Sequence, residues 1–335
     1  MSTETIQIEQ LAVVGLGFLG RGIATCLLGH GFPVVGYDRD SGMRSEALRH
    51  IEDGIRELTE RASFPERLQR TWRERYDEAD CFEDLSGCDF VIESITEDLE
   101  GKRAVLSEIE AVVGPDVPIA SNTSASPISQ LQAGLRHPER ILGMHWAEPA
   151  HLTRFLELIR GNDTSDAALD TALQLGLRIG KDPCLVQKDI PAFLINRIGY
   201  AIYREAAYLI DMGVADAETI DRAFRNAVGL WAVVCGPLRW MDLTGGPAVY
   251  AKAIDGVLPS LCNSSELPES LRTKLVDGDL GIKNGRGFYS YSQEEAREWQ
   301  EKFRKQVWRV RDELDEYFPI GGTSVQLDKT DGTPS

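Results

Sequence analysis

The sequence predicts an α/β fold: a doubly wound sheet that carries an inserted helical hairpin and is followed by an all-helical C-terminal domain. Short β-rich runs alternate with helical stretches through the N-terminal half, the βαβ rhythm of a parallel sheet. A long, charged, helix-rich interval interrupts that rhythm before the third run. From residue 191 onward the apolar positions recur every three or four residues, the period of a helix.

The strand-like runs are LAVVG (11–15), PVVGYD (33–38), DFVIES (89–94), PIAS (118–121), RILGMH (140–145), FLELI (155–159) and CLVQ (184–187). The interval from Ser41 to Asp80 contains EALRHIEDGIRELTERA and, past its middle, Pro65, and reads as the inserted hairpin. Helices follow in PAFLINRIGYAIYREAAYLIDMG (191–213), ETIDRAFRNAVG (218–229) and PAVYAKAIDGVLPSL (247–261). Ala296, Trp299, Phe303, Val307, Val310, Leu314 and Tyr317 form one stripe of a terminal amphipathic helix, a pattern of core or subunit packing. The polar, Gly/Thr-rich tail 321–335 is expected to be disordered.

With 335 residues, 42% of them hydrophobic and 27% charged, the chain has material for two domains with substantial cores. A formal charge of −17 opposes non-specific attraction to nucleic acid and to anionic membranes. The six cysteines (26, 81, 88, 184, 235 and 262) form no Cys-x-x-Cys pair, so no metal site is expected; buried free thiols in a reducing compartment are. No signal or transit peptide is visible at MSTETIQIEQ, and no apolar run has transmembrane length, so the expected location is the cytoplasm.

Gly15, Gly17 and Gly20, with Phe18 and Leu19 between them, follow an apolar strand and open a helix, which makes the sheet Rossmann-type and the loop a dinucleotide site. The first glycine permits the turn, the second lets a pyrophosphate approach the backbone, and the third allows close helix packing. Asp38, at the end of the next strand, is placed to accept from an adenosine ribose and to repel a 2′-phosphate, favouring NAD over NADP; neighbouring Arg39 pulls the other way. The organisation expected is an NAD-binding domain at 1–187 with its insertion at roughly 41–80. A helical substrate and dimerisation domain at 188–292, an extra helix at 293–320 and the tail complete it.

His145 followed by Glu157 supplies what alcohol oxidation needs. An imidazole whose free pKa lies near neutrality can take a hydroxyl proton, and a carboxylate on its far nitrogen fixes its tautomer. Seven stretches in order, GLGFLGRGIA, VIESITEDLEGK, SNTSASPI, RILGMHWAEP, FLELI, PAFLINRIGYAIYREA and KNGRGFYSY, resemble the L-3-hydroxyacyl-CoA dehydrogenase family over about residues 10–292. The resemblance implies that His145 is the general acid/base and Glu157 its orienting partner, while Ser124 and Asn196 hold the substrate oxygen. It further implies cofactor contacts from Glu97, Lys102, Ser124 and Lys283, and a homodimer formed through the helical domain.

The departures bear on substrate. Glu148 stands where the family usually has asparagine, an acid close to the expected nicotinamide, and His151 replaces a small or apolar residue. The insertion that carries basic CoA contacts in the family is mixed and acidic here, with Gly54 near an expected serine and Arg61 near an expected lysine. Arg61 and Arg56 offer phosphate contacts. The segment GLWAVVCGP (229–237) is like the branch that acts on free acids, but Trp231 stands near where that branch tends to carry arginine. The favoured function is NAD-dependent oxidation of a 3-hydroxyacyl-CoA in fatty acid metabolism. The alternatives are a dehydrogenase of a free 3-hydroxy acid, of the L-gulonate or carnitine type, and a non-catalytic NAD(H)-binding protein.

Overall fold

A computed structural model describes residues 8–320, so the tail expected at 321–335 lies outside the described residues. The chain divides into two compact units, one running up to Leu194 and one spanning Ile195–Pro319.

The first unit is built on an eight-stranded sheet of β1 (Leu11–Val14), β2 (Val34–Tyr37), β3 (Tyr76–Ala79), β4 (Phe90–Glu93), β5 (Ile119–Ser121), β6 (Ile141–Trp146), β7 (Phe155–Ile159) and β8 (Asp182–Val186). Its order is β3-β2-β1-β4-β5-β6-β7-β8, parallel from β3 to β6, with β7 antiparallel to β6 and parallel to β8. The first six strands have the order of a dinucleotide fold, whose ligands bind beyond the carboxyl ends where the strand order reverses. Strands β1, β4 and β5 are buried along their whole length, which is why they read as unbroken apolar runs.

Helices α1 (Phe18–Gly29), α2 (Ser41–Arg61), α3 (Leu68–Thr71), α4 (Leu99–Val112), α5 (Ile128–Gln132) and α6 (Asp166–Arg178) complete the unit. The insertion departs from an even hairpin: its first arm is the 21-residue α2, its second is only the single turn of α3, and it closes on β3. Helix α6 begins at the Ser165 side chain, which accepts from Ala168 N–H, and ends in a left-handed Gly180 (φ +69°). There the amides of Gly180 and Lys181 donate to the carbonyls of Leu177 and Gly176, the Schellman pattern.

The second unit contains α7 (Ile195–Asp211), α8 (Ala217–Ala232), α9 (Gly236–Thr244), α10 (Pro247–Val257), α11 (Glu269–Val276) and α12 (Gln293–Tyr317), the last opened by a Ser292/Glu295 capping box. Ala207 and Trp308 are its only buried residues. Among the described residues no helix is long and apolar enough to cross a membrane, and no three His, Cys, Asp or Glu side chains gather as a metal site. All six cysteines are free, but only Cys26 and Cys88 are buried; the apolar character of the other four did not carry them into a core.

Candidate active site

The glycine loop lies between β1 and α1. Gly15 has φ +90°, and a Cβ there would stand 2.6 Å from the Ser94 carbonyl oxygen; at Gly20 it would run into the Gly15 carbonyl. Gly15 is therefore closed to any side chain by the backbone that follows β4, and Gly20 by the loop itself. A Cβ on Gly17 would meet nothing within 4 Å, which leaves that backbone open to a ligand at the N-terminus of a twelve-residue helix. Phe18 is exposed and Leu19 half-buried beside it. The Asp38 carboxylate, just past β2, accepts from the amides of Leu16 and Asp40, tying the second strand to the loop. These residues fit a dinucleotide.

Glu93, the last residue of β4, and Lys102 of α4 form an enclosed ion pair, 2.8 Å apart, both side chains wholly buried. Glu93 also accepts from the Ser121 hydroxyl and the Ile95 amide, while Lys102 donates to the Ile95 carbonyl. The Lys102 ammonium is thus committed to the protein interior. Glu97, 3.7 Å from that ammonium, accepts from the Thr123 hydroxyl, the amides of Ser124 and Ser126, and the Ser126 hydroxyl. Burial pushes its carboxyl upward, but these hydrogen bonds and the Lys102 charge outweigh it and hold Glu97 below its ordinary range. Glu97 so organises the loop that presents Ser124, which is exposed.

His145 and Glu157 face each other in the antiparallel register of β6 and β7, and Nδ1 of His145 stands 2.7 Å from Oε2 of Glu157. Both are buried, at 5% and 1% exposure. Because a carboxylate only accepts, Nδ1 carries the proton and donates, leaving Nε2 with a lone pair for a substrate proton. The second Glu157 oxygen accepts from the Leu194 amide at 3.0 Å. The imidazole is walled by Phe155 and Phe193, whose ring centroids lie 5.9 and 5.7 Å away. Next to it, the Trp146 amide donates to Asn122 Oδ1.

The structure therefore brings the glycine loop, Asp38, Glu97, Ser124 and His145 to the carboxyl ends of parallel strands of one sheet, where antiparallel β7 supplies Glu157 opposite His145. Half-buried Glu148 follows β6, before Pro149. Exposed Arg61 is the last residue of α2. Asn196 is half-buried in the first turn of α7 and Lys283 exposed in a turn after α11, both in the second unit. Sequence reasoning missed Asn122, Phe155, Phe193 and the Leu194 amide. Ala192 and Phe193 occupy consecutive left-handed conformations (φ +64° and +53°), costly for non-glycine residues, and no sequence signal marks them.

Two family models cover most of the chain: the NAD binding domain of 3-hydroxyacyl-CoA dehydrogenase over residues 10–190 and the C-terminal domain of the same enzyme over 193–291. The chain is 32% identical over 306 residues, 91% of its length and 97% of the relative's, to 5-formyl-3-hydroxy-2-methylpyridine 4-carboxylate 5-dehydrogenase of Mesorhizobium japonicum. It is 33% identical over 285 residues, 85% of its length and 96% of the relative's, to 3-hydroxybutyryl-CoA dehydrogenase of Bradyrhizobium diazoefficiens. Among solved structures, that of a 5-formyl-3-hydroxy-2-methylpyridine 4-carboxylic acid 5-dehydrogenase, described as an NAD+-dependent dismutase, superposes with a TM-score of 0.86 at 31% identity, covering 92% of this chain and 99% of the other. With the dinucleotide loop, the strand order and the His–Glu pair in place, these matches lead to one conclusion: the chain belongs to the 3-hydroxyacyl-CoA dehydrogenase family and is an NAD-dependent oxidoreductase.

Proposed function

We propose that the protein interconverts a hydroxyl and a carbonyl group on a small free carboxylic acid, in preference to a CoA thioester. In this reading His145 Nε2 takes the hydroxyl proton in oxidation and returns it in reduction. Glu157 holds the tautomer and stabilises the imidazolium. Ser124 and Asn196 hold the reacting oxygen, and Asp38 and the glycine loop hold the dinucleotide, with Glu148 and Lys283 toward its nicotinamide end. NAD, when bound, supplies the hydride acceptor.

The observation that carries the free-acid reading is the packing of α2. Gly54, near the serine expected of an acyl-CoA site, is buried: a Cβ there would lie 2.6 Å from Thr25 Cγ2 and 3.5 Å from His151 Nε2. No hydroxyl can be offered to a carrier from that position. Arg56 is paired with Asp53 of its own helix. The extent of similarity supports the same reading. The pyridine-carboxylate dehydrogenase structure superposes with a TM-score of 0.86, against 0.71 for a hydroxybutyryl-CoA dehydrogenase of Ralstonia eutropha and 0.63 for a 3-hydroxyacyl-CoA dehydrogenase of Archaeoglobus fulgidus.

The test compares kcat/KM for acetoacetyl-CoA with those for acetoacetate, 3-dehydrocarnitine and 5-formyl-3-hydroxy-2-methylpyridine 4-carboxylate, each with NADH and NADPH. A free acid should exceed the thioester by at least about tenfold, the scale on which differential transition-state binding separates related substrates, and NADH should be the better donor. A thioester exceeding every acid would return the function to acyl-CoA oxidation; preference for NADPH would remove the role given to Asp38.

The second unit supports a homodimer. With only Ala207 and Trp308 buried, and Ile198, Tyr203, Leu230 and Leu238 among its exposed side chains, it leaves more apolar surface in water than a stable lone domain does. A second copy of the chain would cover it. Sedimentation velocity should show a dimer; a monomer at micromolar concentration contradicts the proposal.

A further inference from the structure

We propose that Lys181 is a positioning residue for the His145–Glu157 pair, acting through the β6–β7 connection and touching neither substrate nor cofactor. The proposal rests on reading that pair as the proton-transfer device.

The His145–Glu157 rung is the penultimate one of the β6–β7 ladder; after Trp146 and Leu156 the pairing stops and residues 147–154 take over. Ends of ladders open more readily than their centres, so the spacing of this rung depends on what fixes the connection beyond it. That connection turns inward: Ala150, His151, Leu152 and Arg154 are buried, and Ala150 packs beneath Gly22 of α1. Its inner face exposes carbonyl groups that need donors.

Lys181 provides them. The Schellman turn at the end of α6 sets its backbone, and the side chain runs inward to 1% exposure. Its ammonium donates to the carbonyls of both Ala150 and Thr153 and stands 4.7 Å from the centroid of the Trp146 ring, the residue next to His145. The adjoining Asp182 amide donates to the Arg154 carbonyl, and the Arg154 guanidinium returns to the Asp182 carboxylate. An ammonium withdrawn from water costs several kcal/mol unless its hydrogen bonds are replaced. Here they are replaced by the backbone of the segment that joins the two members of the pair.

The test needs no substrate. The chain has five histidines, so protein labelled with 15N-histidine gives a resolvable long-range 1H–15N spectrum, and His145→Gln identifies the His145 signals by their loss. The wild type should show His145 protonated at Nδ1. In Lys181→Met that single-tautomer pattern should be lost to a mixture, while the fluorescence Kd for NADH is unchanged. An unaltered His145 tautomer in folded Lys181→Met overturns the proposal. Should Lys181→Met not fold, Lys181→Gln, which keeps a donor but no charge, is read in the same way; if neither variant folds, Lys181 serves the fold alone and the proposal fails. A wild-type spectrum lacking the Nδ1–H tautomer would instead refute the His145–Glu157 reading itself.

Discussion

His145→Gln is expected to lower turnover about a hundredfold or more, the usual scale for a positioned acid/base group, while NADH binds as in the wild type. Glutamine is close to imidazole in size and can still donate toward Glu157, so the strand pair survives. What it cannot do is accept a proton at the position of Nε2. Glu157→Gln should fall in the same direction, because an amide does not stabilise imidazolium and its NH2 group would compete for the wrong tautomer. The measurement is steady-state turnover beside a fluorescence titration of NADH. Near wild-type turnover in His145→Gln, under conditions where chemistry limits the rate, would place the proton transfer elsewhere.

The largest stability effect should come from Lys102→Met. It leaves the Glu93 carboxylate fully enclosed with only the Ser121 hydroxyl and the Ile95 amide to answer it. Removing one member of a buried pair costs about 3–5 kcal/mol, because the remaining charge has lost its counter-ion but not its desolvation. The double variant Glu93→Gln/Lys102→Met should recover most of the loss, since no isolated charge then remains. Denaturant unfolding of both proteins measures this. A loss in Lys102→Met below about 1 kcal/mol, the range of an exposed pair, would contradict the enclosed geometry.

Most of the first unit was legible in the sequence because its inner strands, β1, β4, β5 and β6, are buried along their whole length and so appear as short apolar runs. Strand β3 escaped for the opposite reason: YDEA lies at the sheet edge with Asp77 and Glu78 exposed, and nothing in four such residues distinguishes it from a charged loop. The second arm of the insertion was overestimated because its charged, helix-favouring composition continues past Pro65, while only Leu68–Thr71 takes up α-helix before the chain tightens into a 3-10 turn. Of the site, His145, Glu157, Ser124 and the glycines could be found from motif and spacing. The groups that hold them could not. The Leu194 amide reaches Glu157 from 37 residues away in sequence, and Lys181 reaches Ala150 of the β6–β7 connection from 31, through contacts that local patterns do not encode.

Whether His145 moves the proton is read most directly in a single-turnover experiment on enzyme saturated with NADH and mixed with the best carbonyl substrate of the panel. Loss of NADH absorbance then reports chemistry free of product release. Both proteins should give the full amplitude, with the His145→Gln trace slower by about a hundredfold or more. Traces of equal rate would place the proton transfer on another group.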